Sequence, residues 1–318
     1  PYLRSLELDD IHAEYLAARL EREAGAARVE TARELAAGYI RLLEQADASD
    51  SREIWATRAS NLLRLVPEAD SPDLQINVAK AAYMRAESIA ERVRLKLADD
   101  EERARAERIL RDILPQLVLI GQGAHRRTET LESQLGRQLD REDEDRITEE
   151  LSAVRRQRSF SFYFAGWSGY YLSLLTADPS FATQSLRHFG WLLNAGSGEP
   201  ASLDGLQPGL LRFEHVARSA IGAGLSSARA GRIVEAQAWL DAVERETEVP
   251  PSIRGQVPAR KAVVFAEGRM WRELDTLARR HLSPVEGDVD PLFARLVAVL
   301  AMDELASSGG GRSAELLR

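Results

Sequence analysis

The chain contains no cysteine, which removes disulfides, thiolate catalysis and cysteine-based zinc sites together. Lysine is almost missing as well: Lys80, Lys96 and Lys261 stand against 39 arginines. Those arginines are scattered among acids along helical stretches, where they can pair at i, i+4. They therefore read as helix-face ion pairs rather than as guanidinium forks for a carboxylate or phosphate ligand. No long basic run is present, and the net charge is −8 with a pI near 5.4. That balance lacks the footprint phosphate binding requires, so nucleic acid is not the expected partner. The most apolar short run, residues 292–302, is interrupted by Arg295 and falls short of the roughly 18 residues a membrane span needs. No HExxH, Walker A, GxSxG or strand-linked GxGxxG motif occurs. His12, His125, His188, His215 and His281 never fall at i, i+3 or i+4 from one another, so no metal site and no cofactor is expected. A chain without cysteine that begins at Pro1 reads as a mature exported protein or an excised domain. Export to the periplasm or cell envelope is preferred here to a cytoplasmic location.

At 318 residues, 44% of them apolar, there is material for a sizeable core. Length favours two domains or one elongated array. Half of the twenty aromatics lie in residues 160–191. Each buried ring removes roughly 150–250 Å² from water, so this stretch needs neighbours on more than one side. Phe160, Phe164, Trp167, Tyr171 and Leu174 recur at helical spacing on one face, Tyr163 and Tyr170 on another. The segments before it are also helical. A long stripe runs through Leu74, Val78, Ala82, Ala86, Ile89, Val93 and Leu97 after a Ser71–Pro72 start. Pro115 predicts a kink or break in the next helix. Leu131, Leu135 and Leu139, then Ile147, Leu151 and Val154, make two thin stripes on either side of the acidic cluster at 140–146. That cluster lacks the spacing of a calcium loop and predicts a solvated hairpin tip. The Gly- and Pro-rich residues 194–209 predict an internal boundary.

Residues 223–246, AGLSSARAGRIVEAQAWLDAVERE, resemble a tetratricopeptide repeat. Gly224 matches the small residue of helix A, Gly231 the turn, and Ala236, Leu240 and Val243 the inward positions of helix B. In the aromatic stretch Gly169 matches helix A, and Ala182, Leu186 and Phe189 match helix B, although TADPS replaces the turn glycine. A third pair keeps Gly268, with Glu273 where a small residue is expected. The first and second pairs are 54 residues apart, from Ala182 to Ala236, against a family period of about 34.

The resemblance implies an all-α fold of antiparallel helical hairpins stacked as a tetratricopeptide-like α-solenoid. It divides the chain into long-helix hairpins over 1–158, repeat-like hairpins over 159–308 and a flexible Gly-rich tail over 309–318, the two halves forming one continuous array. The tail could lead into further domains. The implied function is a non-enzymatic interaction or scaffolding module that binds a protein or peptide on a concave face. Tyr163, Tyr170, Arg218 and Arg229 are the helix A residues placed there by position. The alternative is a glycan-binding or glycan-processing α/α protein of the cell envelope, with two acids across a cleft and the aromatics, Trp167 and Trp191 among them, as a stacking platform.

Overall fold

The computed structural model describes residues 8–136, 140–194, 196, 198–282 and 290–308. All described elements are helical, with no strand among the described residues. The chain forms two compact units, residues 1–86 with 115–161, and residues 87–114 with 162–318. Residues 87–114 thus group with the second half of the sequence, whereas a linear reading cuts the chain once, at 158.

The first unit begins with α1 (Asp9–Leu20), α2 (Gly25–Gln45) and α3 (Ser49–Leu65). Their apolar faces meet around Leu16, Leu35, Tyr39, Leu62 and Val66, and Leu74 of α4 (Pro72–Arg94) joins the same core. Helix α4 starts where its sequence says it should: the Ser71 hydroxyl accepts the amide of Leu74 at 3.2 Å, and Pro72 takes the first helical position. The later part of α5 (Asp100–Leu135) and the early part of α6 (Arg141–Thr176) pair through Ala124, Leu131, Leu135, Ile147, Leu151 and Val154. Leu139 lies outside the described residues. Arg127–Glu150 and Arg155–Glu132 tie the outer edge of this hairpin.

Two local expectations change. Of the kink or break expected at Pro115 the break does not occur, and helix α5 continues through it; a helix of this length keeps its remaining backbone bonds on either side of the one that proline removes. The acidic cluster is the first turn of α6 rather than a tip, with Asp140 capping the amide of Asp143 at 2.9 Å. Carboxylates at a helix N-terminus face the positive end of its dipole.

The second unit is built on the end of α6, then α7 (Pro179–Leu193), α8 (Glu214–Arg229), α9 (Ile233–Arg245), α10 (Pro251–Arg254), α11 (Val257–Glu267), α12 (Trp271–His281) and α13 (Pro291–Ser308). Neighbours in sequence pack on one another: α7 on α8, α8 on α9, α9 on α11, α11 on α12, and both α11 and α12 on α13. Residues 194–209 are no boundary. Asn194 donates to Pro200 O at 2.8 Å and accepts from Ser202 N at 3.0 Å, while Ala201 N reaches Leu186 O at 2.9 Å. Gly190 of α7 lets the carbonyl of Glu199 lie directly against the helix.

The core of this unit turns on Phe189. Its ring is fully buried, and a Cβ added to either Gly166 of α6 or Gly222 of α8 would fall within 3 Å of it. Two glycines on two helices therefore leave the space that one ring fills, both meeting it at Cε1 and Cζ. Ser185 adds the polar counterpart, donating to Gly166 O at 2.6 Å and lying 2.9 Å from the hydroxyl of Ser226. Among the described residues no helix is long and apolar enough to cross a membrane.

Gly166→Ala and Gly222→Ala should each lower stability by about 1–3 kcal/mol, the usual range for overpacking. Combining either with Phe189→Leu should cost less than the sum of the two changes, as read from urea unfolding in a double-mutant cycle. Strict additivity would show that the ring is not held as described.

Candidate interaction site

Within the second unit the last turns of α4 carry Glu87, Glu91 and Arg94 at i, i+4 and i+7, which places them on one helix face. Glu91 is the centre of the group. Its carboxylate accepts from Arg260 Nη1 at 2.8 Å and from the hydroxyl of Tyr171 at 2.8 Å, and it pairs with Arg94 Nη1 at 2.9 Å. Glu87 lies 3.2 Å from the same tyrosine hydroxyl and 3.3 Å from Arg218 Nη2. Arg94 donates to the Tyr170 hydroxyl while its guanidinium stands 5.6 Å from the centre of that ring.

Burial pushes the Glu91 carboxyl up, but Arg94 and Arg260 outweigh it and hold it at about 2. Burial raises Tyr170 and Tyr171 above the ordinary phenol range, Tyr171 with Glu91 and Glu87 adding to it. Arg260 and Arg94 are pulled down by burial, yet Glu91 lifts both above the usual value. The cluster is thus a set of fixed charges and neutral phenols at neutral pH. Each of these groups titrates far from pH 7, where a general acid or base works best.

Residues 87–97 meet a succession of helices of this unit. Tyr170 and Tyr171 come from α6, Arg218 from α8 and Arg260 from α11. From α13, Arg295 donates to Leu95 O at 2.9 Å, and Lys96 reaches Asp303 at 3.2 Å. The positions assigned by resemblance to a partner surface are therefore engaged from within the chain. Tyr163 and Tyr170 are buried, at 5% and 1% exposure. Burial raises Tyr163 out of the ordinary phenol range, opposed by Arg218. Arg218 holds Glu87, and Arg229 holds Glu267 at 2.8 Å and Ser173 O at 2.7 Å. A buried ring or an engaged guanidinium meets no outside molecule without first giving up these contacts.

Most of the aromatics expected to form a platform are also interior, while Trp191 is half-buried and Phe160 exposed. Trp167 is buried between Tyr171 and Phe189, and Trp191 stacks on Phe162 at 4.8 Å and 7°. His188 also stacks on Phe162, at 6.2 Å and 17°, and burial and then Arg187 lower its pKa to about 4. Among the described residues no three His, Asp or Glu side chains gather as a metal-binding group.

A second feature went unnoticed in the sequence. Between α11 and α12 lies an open cleft of about 360 Å³ whose lining includes Lys261, Phe265, Arg272, Thr276, Leu277 and Arg280. Lys261 is held by Asp241 at 2.8 Å and Glu244 at 2.5 Å. The signal for it was weak: Arg272, Thr276 and Arg280 share a helical face at i, i+4 and i+8, but a charged face is the ordinary solvated side of a helix. The signal for the α4 cluster was similar, since Glu87, Glu91 and Arg94 run within one or two positions of the apolar stripe at helical spacing. Comparison of the chain with protein-family models, with curated proteins and with solved structures finds no match.

Glu91→Gln should cost about 3–5 kcal/mol, because it leaves Arg94 and Arg260 without their countercharge. The pH dependence should have a defined sign. Unfolded His188 takes up its proton near 6.5 and the folded form only near 4. Stability conferred by the neutral imidazole is therefore full above pH 6.5 and is lost as pH falls towards 4, by at most ~1.4 kcal/mol per pH unit. Glu91, depressed from 4.5 to about 2, adds a second loss as pH falls through that lower window. Denaturant midpoints measured from pH 7 to 3 should fall accordingly, and His188→Phe should flatten the upper part of the curve.

Proposed function

We propose that this chain is a non-enzymatic protein–protein interaction or scaffolding module built on tetratricopeptide-like hairpins. The observation that carries the reading is a register shared by three hairpin turns of the second unit. Each contains a residue in the left-handed region: Ala177 (φ 59), Gly231 (φ 79) and Arg269 (φ 54). Five and nine positions after each stand buried residues of the second helix: Ala182 and Leu186, Ala236 and Leu240, Leu274 and Ala278. Seven or eight positions before each stands a small buried residue of the first helix: Gly169, Gly224 and Ala262.

The close approach this permits is the same in kind in the first two pairs. A Cβ on Gly169 would lie 3.1 Å from Phe181 O and from Ser185 Cβ, and one on Gly224 would lie 3.1 Å from Ala236 O and 3.2 Å from Trp239 Cβ. In the third pair the turn residue is Arg269, not Gly268, which moves the register by one and replaces Glu273 with Leu274 at the inward position. The turns after α8 and α11 use the same paired backbone bonds, Arg232 N to Ser227 O and Met270 N to Phe265 O, both at 2.8 Å. Since Tyr163 and Tyr170 are buried and Arg218 and Arg229 are engaged within the chain, the partner meets the hairpins on another face.

The register is testable by stability. Arg269→Gly should gain about 0.5–1 kcal/mol by relieving the left-handed backbone, and Gly231→Ala should lose at least as much. The function is testable by capture on the immobilised full chain. A protein partner should be retained saturably and released by free chain. Absence of any competed partner, together with quenching of tryptophan fluorescence by oligosaccharides, would overturn this reading in favour of the glycan alternative.

A further inference from the structure

We propose that the cleft between α11 and α12 is a docking site for an extended acidic peptide segment of a partner, with carboxylates on alternate sides of one apolar residue. The inference rests on the interaction-module reading and names the chemistry of its partner. The cleft has the volume of a ligand pocket and a mixed lining. Phe265 and Leu277 are half-buried and supply apolar surface, while Arg272 and Arg280 are exposed.

Charge decides the class of occupant. Lys261 is already matched by Asp241 and Glu244, and Arg279, on the same helix, by Asp275. Arg272 and Arg280 have no carboxylate partner among the described residues; the acids of the lining are Glu273 and Glu244, the latter paired with Lys261. Two guanidinium groups without a carboxylate partner among the described residues favour carboxylates, which they can bind bidentately.

Spacing decides the form. Arg272 and Arg280 are eight positions apart on one helix, hence about 12 Å along its axis. An extended peptide rises about 3.3 Å per residue with alternate side chains on one face. Residues one, three and five of such a segment therefore present two carboxylates about 13 Å apart with an apolar side chain between them. That matches the two arginines and the apolar surface that Phe265 and Leu277 give the same cleft. A helical partner would match the same span only with acids two turns apart, and at about 10–12 Å across it is wide for a cleft of about 360 Å³.

The test uses the full chain and a fluorescein-labelled peptide, Asp-Ala-Leu-Ala-Asp with blocked ends, followed by fluorescence anisotropy. Binding is expected, weakening as salt rises. Arg272→Glu and Arg280→Glu should each reduce affinity by about tenfold while circular dichroism stays unchanged, because both side chains are exposed. The Asn-Ala-Leu-Ala-Asn peptide should lose affinity through the missing charges, and Asp-Ala-Gly-Ala-Asp through the missing apolar contact. No binding of the first peptide, or equal binding by the Arg272→Glu/Arg280→Glu double variant, would overturn the proposal. Partner capture separates the two levels of the argument. Capture that survives the double variant removes this site and leaves the module; peptide binding without any competed protein partner removes the module and leaves the site.

Discussion

The carboxylate of Glu91 is the constraint on which the second unit depends. One carboxylate is shared by Arg94 on its own helix, by Arg260 from α11 and by the hydroxyl of Tyr171 from α6. A group so placed cannot be neutralised without stranding two cations, so the helices that supply its partners are held in one arrangement. The net contribution of such a buried cluster to stability is small once desolvation is counted, while removing one partner from it is costly. Glu87 with Arg218, and Arg229 with Glu267, extend the same logic to α8.

Around this polar seam the packing is set by small residues rather than by large ones. Phe189 has room only because Gly166 and Gly222 have no side chains, and α8 approaches α9 only because Gly224 leaves space beside Trp239. The left-handed turns do the rest. Where Gly231 adopts that backbone freely, Ala177 and Arg269 adopt it against the steric preference of a residue with a Cβ. Tertiary packing on both sides of the turn sets the conformation that the local sequence does not favour.

This explains why the hairpins were legible and their register was not. Gly231 announced its turn, and Ala236, Leu240 and Val243 followed at the expected spacing. The third pair misled because Gly268 looks like the turn residue, while the chain places Arg269 there. Tyr163 and Tyr170 were misplaced for a related reason. Their spacing puts them on a second face of α6, but it cannot say that residues 87–97 cover that face. Most of the aromatic stretch is buried as expected, Phe160 being the exposed exception and Phe181 and Trp191 half-buried, since ten rings in one segment cannot all be left in water.

What the sequence determined by itself is the all-helical class, the start of α4 at Ser71 and Pro72, the two thin stripes of the α5–α6 hairpin and the density of the core at 160–191. These follow from local propensity and from periodicity, which act between residues a few positions apart. Only the tertiary structure decided that residues 87–114 join the second half, that α5 continues through Pro115, and that Glu91 gathers Arg94, Tyr171 and Arg260. The last of these partners is 169 positions away in the chain. Pairing at that separation leaves no periodic trace, because a single arginine on a helix face looks the same whether water or a buried carboxylate receives it.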